Sequence, residues 1–213
     1  MKNLLLLILF ITTQITFAQS NQALKGNIET DSITARYHYD KGVDKMNSEE
    51  YEGALIEFDK AIALNSDVAA YYHNRAYVKD YLEDIMGAIE DYTIAIMLDP
   101  YKANAYNNRA ILKSHFSANV GALQDLDRAI ILSPDDAGNY NNRGVVKQEL
   151  EDIVGAIEDY TKAIELDPND GLYYNNRGFC KQLLKDFDSA CMDAKESERL
   201  GYDAQELIED VCD

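Results

Sequence analysis

Gly87 to Pro100 reads GAIEDYTIAIMLDP, and Gly155 to Pro168 reads GAIEDYTKAIELDP. The two phrases start 68 residues apart, twice the 34-residue spacing of Pro100, Pro134 and Pro168, the only prolines in the chain. A fixed period of that size means stacked copies of one supersecondary unit rather than one core of unique sequence. Sliding the chain by the period realigns it without a gap. Ala35, Ala69, Ala103, Ala137 and Gly171 open five units, 35–68, 69–102, 103–136, 137–170 and 171–202. Each unit holds two apolar patterns of helical period separated by a polar turn. Ala54, Ala88, Ala122, Ala156 and Ala190 share one register, and Ala61, Ala95, Ala129 and Ala163 share another.

On the first helix of each unit a small residue recurs as Gly42, Ala76, Ala110, Gly144 and Gly178, and an aromatic as Tyr72, Tyr106, Tyr140 and Tyr174, with His38 in its place in the first unit. Small residues at a crossing let two helices approach closely, while larger side chains fill the flanks and the seam to the next unit. This pattern resembles the tetratricopeptide repeat family from residue 35 to about 202. The resemblance implies an all-α fold, an α-solenoid of five helix-turn-helix repeats, and a non-catalytic role in binding protein or peptide. Ser66 replaces the closing proline of the first unit, and the fifth lacks one too. Residues 203–213, with Leu207, Ile208 and Val211 on one face, are expected to form a capping helix over the last unit.

Lys2 precedes an apolar run from Leu4 to Ile11, and Thr16, Phe17 and Ala18 place small residues where a signal peptidase reads. Residues 1–18 therefore read as a secretory signal and 19–34 as a polar leader, so the protein is expected to be exported, periplasmic or secreted. The run is too short to span a bilayer, and no membrane segment is expected after cleavage. With 20 Lys and Arg against 38 Asp and Glu, the net charge of −18 would repel a phosphate backbone, so nucleic acid is excluded as a partner. Gly201 should end the last unit's second helix midway between Cys191 and Cys212. A hairpin folded there sets the two sulfurs opposite each other, and an exported protein can oxidise them. A Cys191–Cys212 disulfide is expected, with Cys180 left as a small core side chain. Three histidines and three cysteines at these spacings make no metal set, and no cofactor is called for. His38 takes a core aromatic place, and His73 and His115 are read as polar groove contacts.

At the seventh place of each unit the chain carries Lys41, Arg75, Arg109, Arg143 and Arg177, and at the eleventh Lys45, Lys79, Lys113, Lys147 and Lys181. The tetratricopeptide pattern has apolar residues there. Cations on a packed face need partners. The twenty-third place supplies Glu57, Asp91, Asp125, Asp159 and Asp193. Arg75 with Asp91, Arg109 with Asp125, Arg143 with Asp159 and Arg177 with Asp193 are expected to be structural ion pairs, the alternative being a ligand-binding arginine row.

The opposite side of each first helix is the side a solenoid of hairpins turns to its concave groove. There the sixth place is Asn74, Asn108, Asn142 and Asn176, the fifth adds Asn107, Asn141 and Asn175, and an apolar row of Val43, Tyr77, Ile111, Val145 and Phe179 runs alongside. Asparagine both donates and accepts, so a column of amides can bind successive peptide units of an extended chain. The family includes members with such an asparagine ladder. Two readings stand: the amides hold a partner peptide, or they satisfy the neighbouring first helix. Acids such as Glu83, Asp84, Glu90, Glu151, Asp152, Glu158 and Glu165 read as a solvated convex face. The function expected is an envelope interaction module or scaffold. An architectural subunit that oligomerises through its terminal repeats is the alternative, and a hydrolase using Glu149 with a groove histidine stands behind both.

Overall fold

The structure is a computed structural model that describes residues 30–212, so the signal segment 1–18 and the leader up to residue 29 lie outside the described residues. Among the described residues there are helices and turns and no strand. The chain divides into two compact units, one ending at Asp84 and one starting at Ile85. The first holds α1 (30–47), α2 (Tyr51–Leu64) and α3 (Ala69–Tyr81). The second holds α4 (Ile85–Leu98), α5 (Ala103–His115), α6 (Asn119–Leu132), α7 (Ala137–Glu149), α8 (Ile153–Leu166), α9 (Gly171–Leu183), α10 (Phe187–Arg199) and α11 (Gln205–Val211).

The leader reading is corrected at its end, because residues 30–34 belong to α1. Once a helix is nucleated each further residue adds a hydrogen bond, and Thr34 Oγ1 donates back to the Thr30 carbonyl at 2.9 Å. The cap is also shorter than the sequence reading, since α11 begins at Gln205 and ends at Val211. Asp203 stays outside as a turn residue whose carboxylate accepts from the Gln205 N–H at 3.2 Å.

The turns that follow the first helices share one construction. Glu49, Glu83, Ser117, Glu151 and Lys185, 34 residues apart, all take a left-handed backbone, with φ of 61°, 63°, 55°, 63° and 63°. At each, the next N–H reaches back to the carbonyl of the eleventh-place lysine: Glu50 to Lys45, Asp84 to Lys79, Ala118 to Lys113, Asp152 to Lys147 and Asp186 to Lys181, at 2.8–3.0 Å. This closure satisfies the last carbonyls of the helix. Asp152 then caps α8 by accepting from the Gly155 N–H, and Asp186 caps α10 through Ser189. Asp152 is thus a structural cap as well as a surface charge, and the solvated-face reading is too simple there.

The alanines at both recurring registers are fully buried, and in the second unit α5 packs on α6, α7 on α8 and α9 on α10. In the first unit Phe58 and Val78 pack with Ala54 against Tyr39, Val43 and Met46. In the second, Leu126 and Val146 pack with Ala110 and Ala122, and Tyr160 and Cys180 pack with Ala156. The small residue at the crossing is matched to the size of its partner. A Cβ on Gly144 would lie 2.7 Å from Tyr160 Cε1, and one on Gly42 2.6 Å from Phe58 Cε1, whereas Ala110 packs with the slimmer Leu126. Gly144→Ala is therefore expected to destabilise by about 1–3 kcal/mol through overpacking. Adding Tyr160→Leu should recover most of it by recreating the Ala110 and Leu126 pairing. Thermal unfolding of the two variants checks this, and an equal loss in both would contradict the size-matching argument.

Candidate functional site

Two side-chain arrays run through the second unit, one at the seam between first and second helices and one on the inner face of the first helices. At the seam, Arg109, Arg143 and Arg177 each grip a buried aspartate with two nitrogens. Nε and Nη2 lie 2.9 and 2.6 Å from the Asp125 oxygens, 2.9 and 2.6 Å from those of Asp159, and 2.9 and 2.8 Å from those of Asp193. The fork of the guanidinium matches both carboxylate oxygens. The eleventh-place lysines join the same aspartates, with Lys113 at 2.7 Å from Asp125, Lys147 at 2.8 Å from Asp159 and Lys181 at 2.7 Å from Asp193. Each seam is therefore a triad of two cations on one carboxylate, and the pair expected from sequence is incomplete without its lysine.

The remaining arginine nitrogen reaches back to the preceding second helix. Nη1 of Arg109 donates to Thr93 Oγ1 at 3.0 Å, that of Arg143 to Asp127 at 2.8 Å, and that of Arg177 to Thr161 Oγ1 at 3.2 Å. One side chain thus ties two consecutive pairs together. Hydrogen bonding to Asp159, with a smaller contribution from Asp127, pushes the Arg143 guanidinium above its already high range. The aromatic of each first helix lies under its arginine, with Arg109, Arg143 and Arg177 carbons 5.8, 5.7 and 5.6 Å from the Tyr106, Tyr140 and Tyr174 ring centres. These three tyrosines are half-buried.

In the first unit, Arg75 stacks over Tyr72 at 5.5 Å and its Nη1 lies 2.7 Å from Asp59, while Asp91, its expected partner, belongs to the second unit and is buried there. The first seam is built differently. Lys60 donates to Glu57 at 2.9 Å, His38 Nδ1 lies 2.7 Å from the other Glu57 oxygen, and Lys41 is 3.5 Å away. His38 is therefore a polar partner of a buried carboxylate and not a core aromatic. Hydrogen bonds from Lys60 and then His38 hold the Glu57 carboxyl at about 2, below its ordinary 4.5, against the opposing pull of burial. Because the folded value is the lower one, this stabilisation is complete above about pH 4.5 and is lost as pH falls towards 2. Glu57→Gln should flatten that part of the acid-unfolding curve, and an unchanged curve between those limits would refute the assignment.

On the inner face the asparagines bond to one another across the helices. Asn142 Nδ2 donates to Asn107 Oδ1 and Asn176 Nδ2 to Asn141 Oδ1, both at 2.9 Å, while Asn107 and Asn141 donate to their neighbours Asn108 and Asn142 at 3.4 and 3.3 Å. Asn108 Nδ2 donates to Tyr92 Oη at 3.1 Å, and in the first unit Asn74 donates to Tyr39 Oη at 3.0 Å. Of the two readings, the one in which amides satisfy the next first helix is present in this geometry, through side-chain oxygens rather than backbone carbonyls. It leaves capacity over, because an amide carries two N–H groups and two lone pairs. Beside the ladder, Ile111 and Val145 are half-buried and help to line a hollow of about 190 Å³ with His115 and Glu149 at its rim. Tyr77 and Phe179 stand exposed. The first helices α5, α7 and α9 touch in succession, which places them on the inner side of the second unit.

At the end of the chain, Cys191 and Cys212 are bridged, with Cα atoms 5.1 Å apart, and Leu207 and Val211 of α11 are buried against Ala190 and Ala194. Cys180 is a buried free thiol that burial pushes up to about 11, and it lies 3.3 Å from Gln148 Oε1. A thiol held that high is inert.

Profiles of the tetratricopeptide repeat family match residues 140–170 and 159–192. Residues 140–192 are therefore tetratricopeptide repeats. The fold of the chain is shared with solved tetratricopeptide structures. MamA from Desulfovibrio magneticus RS-1 superposes with a TM-score of 0.74 at 19% identity, over 78% of this chain and 94% of that one. A Pseudomonas aeruginosa protein, pilF, gives 0.74 at 18%, covering 85% and 87%. YrrB, described as a tetratricopeptide protein with an unusual peptide-binding site, gives 0.71 at 19%, covering 88% and 96%. No curated protein sequence matches. The fold is therefore an all-α tetratricopeptide solenoid, an architecture of protein-interaction scaffolds. No described helix is long and apolar enough to cross a membrane.

Sequence reasoning missed two features of these tetratricopeptide repeats. The place of the lysine in each triad was legible in its 34-residue spacing, but which carboxylate it reaches depends on a side chain several bonds long. The backward reach of the arginine to Thr93, Asp127 and Thr161 had a signal too, since Asp59, Thr93, Asp127 and Thr161 share one register.

Proposed function

We propose that this protein is an exported, non-catalytic interaction module that holds an extended segment of a partner protein along the inner face of its first helices. The observation that carries the reading is the half-buried asparagine ladder. Its amides are already oriented by bonds to one another, so a peptide that takes up their unused donors and acceptors need not order them first. Ile111 and Val145 add an apolar wall beside that row, and the hollow between them suits a side chain of the bound segment. Export is supported by the apolar N-terminal run ending at Ala18 and by the Cys191–Cys212 bridge, a bond that persists in oxidising compartments. Repeated open helical pairs leave little means to enclose a substrate, which favours binding over hydrolysis.

The test is cross-linking of the exported protein in its native envelope, comparing wild type with the double variant Asn108→Ala and Asn142→Ala. Loss of captured partner in the double variant, at retained helicity, is the expected result. Each alanine removes an inter-helix hydrogen bond, so a stability loss of about 1 kcal/mol per site is expected as well and must be measured alongside. Capture that is unchanged in a folded double variant would defeat the groove reading.

A further inference from the structure

The short helix α11 stands where the first helix of one more repeat would stand. The helices α5, α7 and α9 begin at Ala103, Ala137 and Gly171, and α11 begins one period later at Gln205. It packs on α10 and touches α9, as α9 packs on α8 and touches α7. In that register Asp210 occupies the place held by Asn108, Asn142 and Asn176. The substitution has a chemical consequence. Asn142 and Asn176 donate to Asn107 and Asn141 of the preceding first helix, but a carboxylate has no hydrogen to give. Among the described residues the Asn175 side-chain amide has no hydrogen-bond partner. Asp210 accepts from Gln182 Nε2 at 2.9 Å and meets no cation there.

The unpaired Asn175 amide and the Asp210 carboxylate, which keeps acceptor capacity beyond its bond to Gln182, line one cleft of about 280 Å³ between α9 and α11. Its apolar surface includes Phe179, which is 43% exposed, and Leu207, and its rim adds the carboxylates of Asp203 and Glu206. The lining has no lysine or arginine. A cleft whose charged side chains, Asp203, Glu206 and Asp210, are all acids, over an apolar floor, is complementary to a donor that carries positive charge and an adjoining apolar body.

We propose that this cleft docks a basic segment of a partner protein, with a lysine or arginine bonded to Asn175 and Asp210 and a neighbouring apolar side chain on Phe179 and Leu207. The proposal rests on the peptide-holding reading and names the chemistry of the segment's end. A second copy of this chain is the poorer occupant, since two molecules of net charge −18 repel.

The test is fluorescence anisotropy of the full exported protein with a short fluorescein-labelled peptide of alternating lysine and leucine, and with its glutamate-for-lysine counterpart. Asp210→Asn is the informative variant, because it supplies the missing donor and closes the ladder onto Asn175. The expected result is saturable binding of the lysine peptide alone, weakened about tenfold or more by Asp210→Asn and several-fold by Phe179→Ala. The unfolding midpoint of Asp210→Asn should be unchanged or raised, which separates lost binding from lost structure. The distant neutralisations Glu90→Gln and Glu158→Gln should leave affinity within about twofold. No saturable binding, equal binding of the glutamate peptide, unchanged affinity in Asp210→Asn, or an equal loss in the distant variants would each overturn the proposal. So would concentration-dependent self-association in sedimentation that Asp210→Asn abolishes. Asn142→Ala distinguishes the parent reading: if it leaves peptide affinity intact while Asp210→Asn removes it, the groove reading fails and the cleft stands.

Discussion

Asp159→Leu is expected to destabilise the protein by about 3–5 kcal/mol, and Arg143→Leu by clearly less. The asymmetry comes from the seam. Asp159 is 4% exposed and holds both Arg143 and Lys147, so its removal leaves two cations facing an apolar side chain. Removing Arg143 strips its fork from Asp159, its link to the exposed Asp127 and its stacking on Tyr140, but it leaves Asp159 paired with Lys147, so no buried charge is left alone. The double variant Arg143→Leu and Asp159→Leu should cost much less than the two single losses added, since it removes the buried charge with its principal partner. Urea unfolding of the three variants measures the coupling. Additive losses, or a larger loss for Arg143→Leu than for Asp159→Leu, would contradict the triad.

Removing the terminal bridge with Cys191→Ala and Cys212→Ala is expected to release α11 and lower stability of that end by about 3 kcal/mol, as suits a bridge spanning 21 residues. A seven-residue helix does not persist alone in water, and α11 is otherwise held chiefly by Leu207 and Val211. Amide exchange should show residues 205–211 losing protection while α7 and α8 keep theirs. The unreduced protein, once unfolded, should titrate one free thiol, that of Cys180. Three free thiols, or undiminished protection of α11 in the variant, would defeat this account. Release of α11 would also open the cleft over Phe179, so the lysine peptide should weaken in the same variant.

Much of the architecture was legible in the chain. Pro100, Pro134 and Pro168 set the period, and the alanines at 54, 88, 122, 156 and 190 marked the crossings, because only small residues allow that approach. The Cys191 and Cys212 pairing followed from a turn at Gly201. The candidate site was less legible. Asn107, Asn108, Asn141 and Asn142 were visible as a row on one face, but a row on a face does not say whether its amides bond outward or along the solenoid. That depends on the distance between successive first helices, which no single unit encodes.

The sequence by itself determined the period, the helical pairs, their small-residue crossings and the charges brought to each seam, since all of these are local or repeat within one unit. Only the tertiary structure decided that Arg143 spans two second helices, that Lys147 shares its aspartate, and that the amide ladder ends on Asp210 without a donor. The physical reason is that the backward bond of Arg143 and the amide ladder join side chains of neighbouring repeats, so the stacking translation fixes them, while the Lys147 contact within one repeat depends on how closely its two helices pack.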